Sequence, residues 1–398
     1  MKDPFYGMYD PLTRRQLLRR AAAGGVGLSL PAILAACGGG GGIEGQAEQT
    51  TSEAATTVEQ VLADELTFAN WPFYIDIDED TNERPSLEMF TQETGVRVNY
   101  LEEVNDNEEW FGKYQAQLEA GDDIGRDIVV LTDWMAARMI KLGYVQRLDK
   151  SAIPNIGNLQ DALASPGWDP SRDYSLPWQS GLTGIAYNKK TIGKVTTMDQ
   201  LLTDPKLKGK VTLLTEMPDT MGIMIAAQGG DPSTVTPEAF DSAISAIGDA
   251  VESGQIRRFT GNDYTEDLAS GNVWACMAWS GDIAAGLKNP NIEFTVVDTG
   301  SHIWTDNMLI PNGGDVYTAS TYMNYVYDPV VAARIAAYVY FISPVKGAAD
   351  EIAQFDETAP ENPLIFPPDD VLAKTFIFDA EAADDPEYKE KFQAVIGA

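Results

Sequence analysis

The sequence predicts an α/β protein of two lobes, joined by a hinge and separated by a cleft. Short apolar runs alternate with helical patterns in two successive series, over residues 66–142 and 182–297. Such alternation is typical of lobes built on a largely parallel sheet. Two extended segments, at 174–178 and 300–311, are interpreted as crossings between the series. Two α/β lobes joined by more than one crossing can open and close about a hinge.

The first series is defined by its capping and turn residues. Pro85 marks the start of one helix, and Asn105 or Asp106 caps the next. The predicted strands span 66–71, 96–101 and 127–131, and the predicted helices are closed by Gly95, Gly121 and Gly143. In parallel sheets, ligands lie beyond the carboxyl ends of the strands. The residues that follow strand ends here include Trp71, Tyr74, Thr132 and Trp134.

The second series has the same alternation. Its strands are predicted at 182–187, 210–214, 273–278 and 292–297, and its helices at 219–227, 237–251, 263–270 and 281–287. A long helix is predicted from Pro329 to Phe341, with two helical stretches in the tail at 363–398. We expect residues 65–175 with 307–360 to form lobe 1, and residues 176–306 with 361–398 to form lobe 2.

The N-terminal 36 residues are interpreted as an export signal. Arg14-Arg15 lies in a segment that resembles the twin-arginine signature, and residues 21–36 are too short and too rich in small side chains for a membrane span. Leu34-Ala35-Ala36-Cys37 resembles a bacterial lipobox, in which the cysteine is acylated. We therefore expect a lipoprotein anchored through Cys37, in the periplasm or on the outer face of the cytoplasmic membrane. The alternative is an ordinary signal peptide that contains a cysteine.

Residues 37–64 are predicted to form a flexible tether. Five glycines follow Cys37, and the segment after them is rich in Gln, Glu, Ser, Thr and Ala. Such a composition cannot bury a core. The sequence therefore predicts a folded body held a short distance from the membrane.

Composition limits the classes of ligand and chemistry. The chain has 60 acidic and 28 basic residues, for a net charge of −32, which attracts cations and repels nucleic acid. Acidity of this kind is also typical of proteins from salty habitats. The chain has a single histidine, His302. Any Ser/His/Asp triad would have to use it, and a metal site with several histidines cannot be built. We interpret His302 as structural. Cys276 is the only cysteine besides Cys37, so no structural disulfide is expected in the body.

One acidic segment begins like a calcium-binding loop. Residues 76–82 carry alternating acidic side chains, but Thr81 stands where the loop needs glycine, and Leu87 where it needs glutamate. We interpret the segment as a solvated acidic loop. No metal and no cofactor is predicted for this protein.

The segment 300–311 carries the pattern most suggestive of a ligand. Trp304 and Asp306 are two residues apart, so on an extended segment their side chains point the same way. An indole face with a nearby carboxylate suits an organic cation, because the ring packs on methylenes and the carboxylate balances the nitrogen. The alternative is a core tryptophan beside a solvated aspartate.

Several spaced segments together resemble the spermidine/putrescine-binding proteins of bacterial ABC importers. The resemblance covers roughly residues 66–363, and its most specific part is the segment with Trp304 and Asp306. The segments that carry it are Asn70-Trp71-x-x-Tyr74, Asp127-Ile128-Val129-Val130 with Thr132 and Trp134, Tyr174-Ser175-Leu176-Pro177, Gly184-Ile185-Ala186-Tyr187-Asn188, Leu213-Leu214-Thr215, Trp279-x-Gly281, and Ile303-Trp304-Thr305-Asp306-x-x-Leu309-Ile310-Pro311.

The resemblance implies a periplasmic-binding-protein-like fold with the ligand between the lobes. It implies that Trp304 packs on a polyamine, that Asp306 holds an amine, and that further rings line the cleft. It also implies permease subunits as partners, a monomer, and no enzymatic activity. The ligand-binding residues expected on this basis are Trp71, Phe73, Tyr74, Thr132, Trp134, Asp219, Trp279, Trp304 and Asp306.

The chain departs from the family's pattern at two places. Phe73 stands where the spermidine binder has an acidic residue, and the acidic pair Glu216 and Asp219 is displaced by a residue or two. Fewer acidic contacts favour a shorter diamine or a different cation. A binder for another organic cation, an amino acid, a sugar or a metal complex remains an alternative. An extracytoplasmic glycosidase is a second one, although no pair of acids stands in an obvious catalytic setting.

Overall fold

The computed structural model describes residues 60–78, 80–283 and 289–397. The predicted signal peptide, the predicted lipidation site Cys37 and most of the predicted tether lie outside the described residues, as does most of the helix predicted at 281–287. Within the described residues, we find no helix with the length and apolar character needed to cross a membrane.

A mixed sheet of ten strands organises the described part of the chain. The strands are β1 (Glu65–Asn70), β2 (Arg97–Glu102), β3 (Ile128–Thr132), β4 (Ser175–Asn188), β5 (Val211–Leu214), β6 (Ile256–Thr260), β7 (Ala275–Trp279), β8 (Ile292–Thr295), β9 (Ser301–Leu309) and β10 (Thr375–Phe376).

The helices follow the strands in both series. They are α1 (Pro85–Thr94), α2 (Asn107–Ala120), α3 (Asp133–Lys141), α4 (Lys189–Ile192), α5 (Met198–Thr203), α6 (Met217–Ala227), α7 (Pro237–Glu252), α8 (Tyr264–Ser270), α9 (Val316–Val326), α10 (Pro329–Val339), α11 (Ala348–Glu351), α12 (Asp369–Leu372), α13 (Ala380–Asp384) and α14 (Pro386–Ile396). Short 3-10 turns span Lys150–Ala152, Pro154–Asn158, Asp161–Leu163, Pro205–Leu207, Ile352–Gln354 and Ala359–Glu361.

The strand order separates two parallel groups. It runs β2-β1-β3-β9-β4-β7-β5-β6, with β10 beside β9 and β8 beside β4. β1 pairs in parallel with β2 and β3, and β5 pairs in parallel with β6 and β7. Between the groups, β9 pairs antiparallel with both β3 and β4, and β4 pairs antiparallel with β7. The two-lobe α/β fold predicted from the sequence is confirmed, and the predicted crossings are the two long central strands. The assigned lobe boundaries stay a prediction.

The central strands are buried along most of their length. All residues of β4 but the last are buried, and so are all residues of β5 and β7, as expected for strands covered on both faces. Proline normally interrupts a central strand because it lacks an amide donor. Pro177 is tolerated in β4 because the pairing register with β9 shifts between Pro177 and Gln179.

Capping follows the sequence prediction closely. The Asp106 side chain accepts a hydrogen bond from the backbone amide of Glu109 at the start of α2. Gly121 ends the same helix with φ 72°, a left-handed conformation that favours glycine. These two residues fix where α2 begins and ends, and therefore hold Asn107 and its neighbours at the end of β3.

The acidic loop at residues 76–82 differs from the prediction. Asp76 is only 4% exposed, and it accepts hydrogen bonds from both the backbone amide and the hydroxyl of Ser86 at the start of α1. Asp78 is exposed and accepts from the amides of Asp80 and Thr81, which closes a turn. The loop is therefore solvated at Asp78 but anchored at Asp76. Among the described residues, no group of three or more His, Cys, Asp or Glu side chains is arranged to hold a metal ion.

Candidate functional site

A small cavity, lined largely by buried side chains, lies where the central strand β9 passes between the two parallel groups. Its volume is about 30 Å³. It is lined by Trp71, Pro72, Tyr74, Thr132, Glu216, Asp219, Asn262, Trp279, Asp282, Trp304, Asp306 and Phe341. All of the ligand-binding residues expected from the sequence belong to this lining except Phe73 and Trp134. We call this space the inner cavity.

Strand β9 brings Trp304 and Asp306 to the inner cavity together. Asp306 lies opposite Thr132 of β3, and Trp304 lies opposite Gly181 of β4. A Cβ atom at Gly181 would collide with the Trp304 ring, so glycine is needed there for the indole to lie across β4. Both side chains are almost fully buried.

Asp306 is held by two hydroxyl groups. Thr132 Oγ1 donates to its Oδ1 at 2.7 Å, and Tyr74 Oη donates to its Oδ2 at 2.8 Å. Burial raises the pKa of Asp306 to about 7, although these two hydrogen bonds lower it. At neutral pH the carboxyl group is therefore close to half protonated, and a cation in the inner cavity would favour the anion.

A second buried carboxyl group, Asp282, was not among the residues expected from the sequence. Its Oδ2 accepts hydrogen bonds from Tyr264 Oη at 2.6 Å and from Asn262 Nδ2 at 2.7 Å. Burial raises the pKa of Asp282 to about 7. The available signal was its position three residues after Trp279, which ends β7. Residues beyond a strand end are candidates for ligand contacts.

Glu216 is a third carboxyl group in the lining. Its Oε1 accepts from the backbone amide of Asn107 at 2.7 Å and from Asn107 Nδ2 at 2.8 Å. Burial raises the pKa of Glu216 well above its usual value, and the charges of Asp106 and Asp219 add to the rise. The sequence placed Glu216 in a displaced acidic pair, and the structure places both members of that pair in the inner cavity.

Aromatic rings form the remaining walls. The Trp71 and Trp279 ring centroids are 5.5 Å apart, and those of Trp279 and Trp304 are 6.5 Å apart, in edge-to-face arrangements. Phe341, a further residue that sequence reasoning missed, contacts Trp304 at 5.5 Å and Tyr74 at 5.0 Å. Trp71 is fixed by a hydrogen bond from its indole to the carbonyl of Val130.

Phe73 and Trp134 lie elsewhere. Phe73 is 39% exposed and has φ 57°, so the turn directs its ring outward while Tyr74 returns to the inner cavity. Trp134 is the second residue of α3, and the helical rotation carries it away from Thr132. Its ring lies 5.7 Å from Lys389 Nζ.

Trp134 lines a separate, larger cavity of about 440 Å³. The walls of this outer cavity come from α2, the start of α6, the end of β6 and the C-terminal helix α14. It shares Glu216 with the inner cavity. Lys389, which lines the outer cavity, forms ion pairs with Glu108 at 3.3 Å and with Asp384 at 3.4 Å.

The arrangement of the inner cavity suits a cation with apolar segments. Four buried carboxyl groups line it, and an ionised carboxylate balances a positive charge; they are Glu216, Asp219, Asp282 and Asp306. The rings between them offer π faces that attract cations and apolar area that packs on methylenes.

Comparison with known proteins agrees with this geometry. Residues 86–367 match the model of the bacterial extracellular solute-binding protein family. The chain is 28% identical over 345 residues to the putrescine-binding periplasmic protein PotF of Escherichia coli, covering 81% of this chain and 89% of that protein. It is 29% identical over 330 residues to the putrescine-binding periplasmic protein SpuD of Pseudomonas aeruginosa, covering 78% of this chain and 85% of that protein.

Solved structures share the fold. The spermidine/putrescine ABC transporter substrate-binding protein PotD of Streptococcus pneumoniae superposes with a TM-score of 0.66 at 23% identity, over 84% of this chain and 97% of that chain. The TpPotD lipoprotein of Treponema pallidum superposes with a TM-score of 0.68 at 22% identity, over 84% of this chain and all of that chain. These structures show the same fold, and the match to the family model over residues 86–367 shows that the chain belongs to the bacterial extracellular solute-binding protein family.

Proposed function

We propose that this protein is an extracytoplasmic solute-binding protein that captures a polyamine, such as putrescine or spermidine, and delivers it to the permease of an ABC importer. The observation that carries the proposal is the pair of buried carboxyl groups, Asp306 and Asp282, enclosed by aromatic rings. A diamine presents an ammonium group at each end and an alkyl chain between them, so it can satisfy both carboxylates while its methylenes pack on the indoles. Relatives named for putrescine binding support the proposal.

The acidity of the inner cavity links binding to proton release. The pKa values of Asp306 and Asp282 are both raised to about 7, so each carboxyl group carries a proton part of the time at neutral pH. An ammonium group favours the ionised form, and binding then expels these protons. We therefore infer that affinity for a polyamine falls as the pH is lowered through 7, by up to about tenfold per pH unit for each carboxyl group.

We further propose a lipid anchor on Cys37, a monomeric state and a location at the outer face of the cytoplasmic membrane or in the periplasm. The lipobox-like Leu34-Ala35-Ala36-Cys37 supports the anchor. The glycine-rich segment after Cys37 would let the folded body reach a permease in the same membrane.

A thermal-shift panel of polyamines, amino acids, sugars and anions tests the ligand class. Ligand at about 100 times Kd should stabilise the folded state by about 2.7 kcal/mol, which gives a clear rise in Tm. Putrescine or spermidine should produce this rise. If only sugars, neutral amino acids or anions raise the Tm, the polyamine proposal is wrong.

A further inference from the structure

Asp219 lines the inner cavity, yet its carboxylate is bonded to the protein on both oxygens. It lies in the first turn of α6 and is 5% exposed. The indole Nε1 of Trp279 donates to its Oδ2 at 3.3 Å. The hydroxyl of Thr183 donates to its Oδ1, and His302 Nδ1 lies 2.8 Å from the same oxygen.

The same hydrogen-bond chain reaches a second wall indole. Trp304 Nε1 donates to Thr183 Oγ1 at 3.0 Å. Because a hydroxyl group has one hydrogen, which Thr183 donates to Asp219, its oxygen is free to accept from the indole. Thr183 lies on β4 directly opposite Trp279 of β7 and His302 of β9, so the sheet register fixes this arrangement. Asp219 thus holds Trp279 directly and Trp304 through Thr183.

We propose that Asp219 is a positioning residue, which orients the indoles of Trp279 and Trp304, and that it does not hold a ligand ammonium group. This inference rests on the proposed function, because it assigns a role within the same site. Asp219 and Asp306 differ in the groups that donate hydrogen bonds to their carboxyl oxygens. The hydroxyls on Asp306 can rotate toward other acceptors when a cation arrives, whereas an indole N–H has a fixed direction and donates only. If Asp219 turned to a ligand, a buried indole N–H would lose its partner.

The variant Thr183→Val tests the positioning of the Trp304 indole without changing the charge of the inner cavity. Valine has nearly the shape of threonine but lacks the hydroxyl group, so the Trp304 indole loses its acceptor while the charge of the inner cavity is unchanged. We expect this variant to bind putrescine about tenfold more weakly and to show an altered near-UV circular dichroism spectrum without ligand. Tenfold corresponds to about 1.4 kcal/mol. Thr183→Ser keeps the hydroxyl group and should restore both affinity and spectrum.

Asp219→Asn and Asp306→Asn provide the comparison. Removing Asp219 should change the unliganded near-UV spectrum, because the wall indoles lose their orientation. Removing Asp306 should weaken binding without that spectral change. Asp78→Asn, in the exposed turn, should change neither. Far-UV spectra identify any variant that fails to fold, and Thr183→Val then decides the question.

Two results would overturn the inference. One is Thr183→Val with the affinity and near-UV spectrum of the parent. The other is Asp219→Asn with weakened binding but the spectrum of the parent, which would make Asp219 an ammonium ligand. If the parent binds no polyamine, the proposed function fails, whereas the spectra of the unliganded variants still decide whether Asp219 positions the indoles.

Discussion

Replacing Asp306 by asparagine tests the charge that anchors the proposed ligand. Asparagine preserves the size of the side chain, and its carbonyl oxygen can still accept from Tyr74 or Thr132, whose hydroxyls can reorient to meet the new amide. The fold should therefore persist. What the variant loses is the negative charge opposite a ligand ammonium group.

The expected loss of affinity follows from the burial of the site. A hydrogen bond to a charged group contributes about 1.5–3 kcal/mol net, and removing one partner of a buried ion pair costs about 3–5 kcal/mol. The ligand can keep water on its freed amine, so we expect a loss of about 2–3.5 kcal/mol, or roughly 30- to 300-fold in Kd. Isothermal titration calorimetry with putrescine and spermidine measures this directly.

The pH dependence sharpens the same experiment. Because the pKa of Asp306 is raised to about 7, the parent carries this charge at pH 8 but largely loses it at pH 6. The difference in affinity between the parent and Asp306→Asn should therefore shrink by about tenfold from pH 8 to pH 6. Asp282 titrates in both proteins, so its effect largely cancels in the ratio of the parent's affinity to that of Asp306→Asn.

The folding stability contributed by Asp306 without ligand should fall as the pH rises, whereas the affinity for the ligand should increase. The pKa of Asp306 in the folded state exceeds the ordinary value of 3.8, so between these values the folded protein binds more protons than the unfolded chain. Stability contributed by the protonated carboxyl group is therefore lost as the pH rises from about 4 to about 7. Asp306→Asn lacks this loss, and its Tm relative to the parent should rise over that range. Binding of Asp306→Asn at pH 8 within about threefold of the parent would place the anchor elsewhere.

Two further predictions concern anchoring and closure. Cys37→Ala should move the exported protein from the detergent phase to the aqueous phase, and the mass of the mature parent should show a lipid on Cys37; a parent chain that retains residues upstream of Cys37 would contradict the lipobox. Putrescine should make the protein more compact in small-angle scattering and change its tryptophan fluorescence, because Trp71, Trp279 and Trp304 line the inner cavity; identical scattering with and without saturating ligand would argue against a closing cleft.

The sequence was sufficient for elements with strong boundary residues. Proline at the start of α1, the Asp106 cap of α2 and the glycines that follow both helices define these elements locally. β6 was missed because Arg257 and Arg258 are exposed within it, and the strand pairs with β5 alone. α9 was missed because its β-branched and tyrosine side chains have weak helical preference. Its stability comes from tertiary packing, which buries residues such as Tyr322 and Met323.

The candidate site was likewise predictable only where local sequence determines the geometry. Trp304 and Asp306 could be paired from their spacing on an extended segment, and β9 has that geometry. Trp134 was expected at the site because it follows a strand end, but the chain becomes helical at Asp133 and carries Trp134 to the outer cavity. The sequence predicted Phe341 as the last residue of a helix, whereas the helix ends at Val339 and Phe341 lies beyond it, in the wall of the inner cavity. Its position depends on the left-handed Tyr340 and on the bridge between Ile342 and Ser180, which join residues far apart in the chain.

The small size of the inner cavity links the expected ligand selectivity to the expected closure of the cleft. A volume of about 30 Å³ is enough for a water molecule or two, so a polyamine must enter while the walls stand further apart than they do in this structure. Trp71 and Thr132 come from the β1–β3 group, Trp279 and Asp282 from the β5–β7 group, and Asp306 from β9 between them. We expect a ligand that contacts all of them to shift the protein toward a closed arrangement, because such an arrangement provides the full set of contacts. A ligand with one ammonium group leaves the second carboxyl group to be neutralised by a proton, and closure around it gains less. On the proposed function, we therefore expect discrimination among cations to depend on how completely each one balances the carboxyl groups of Asp306 and Asp282 as the cleft closes.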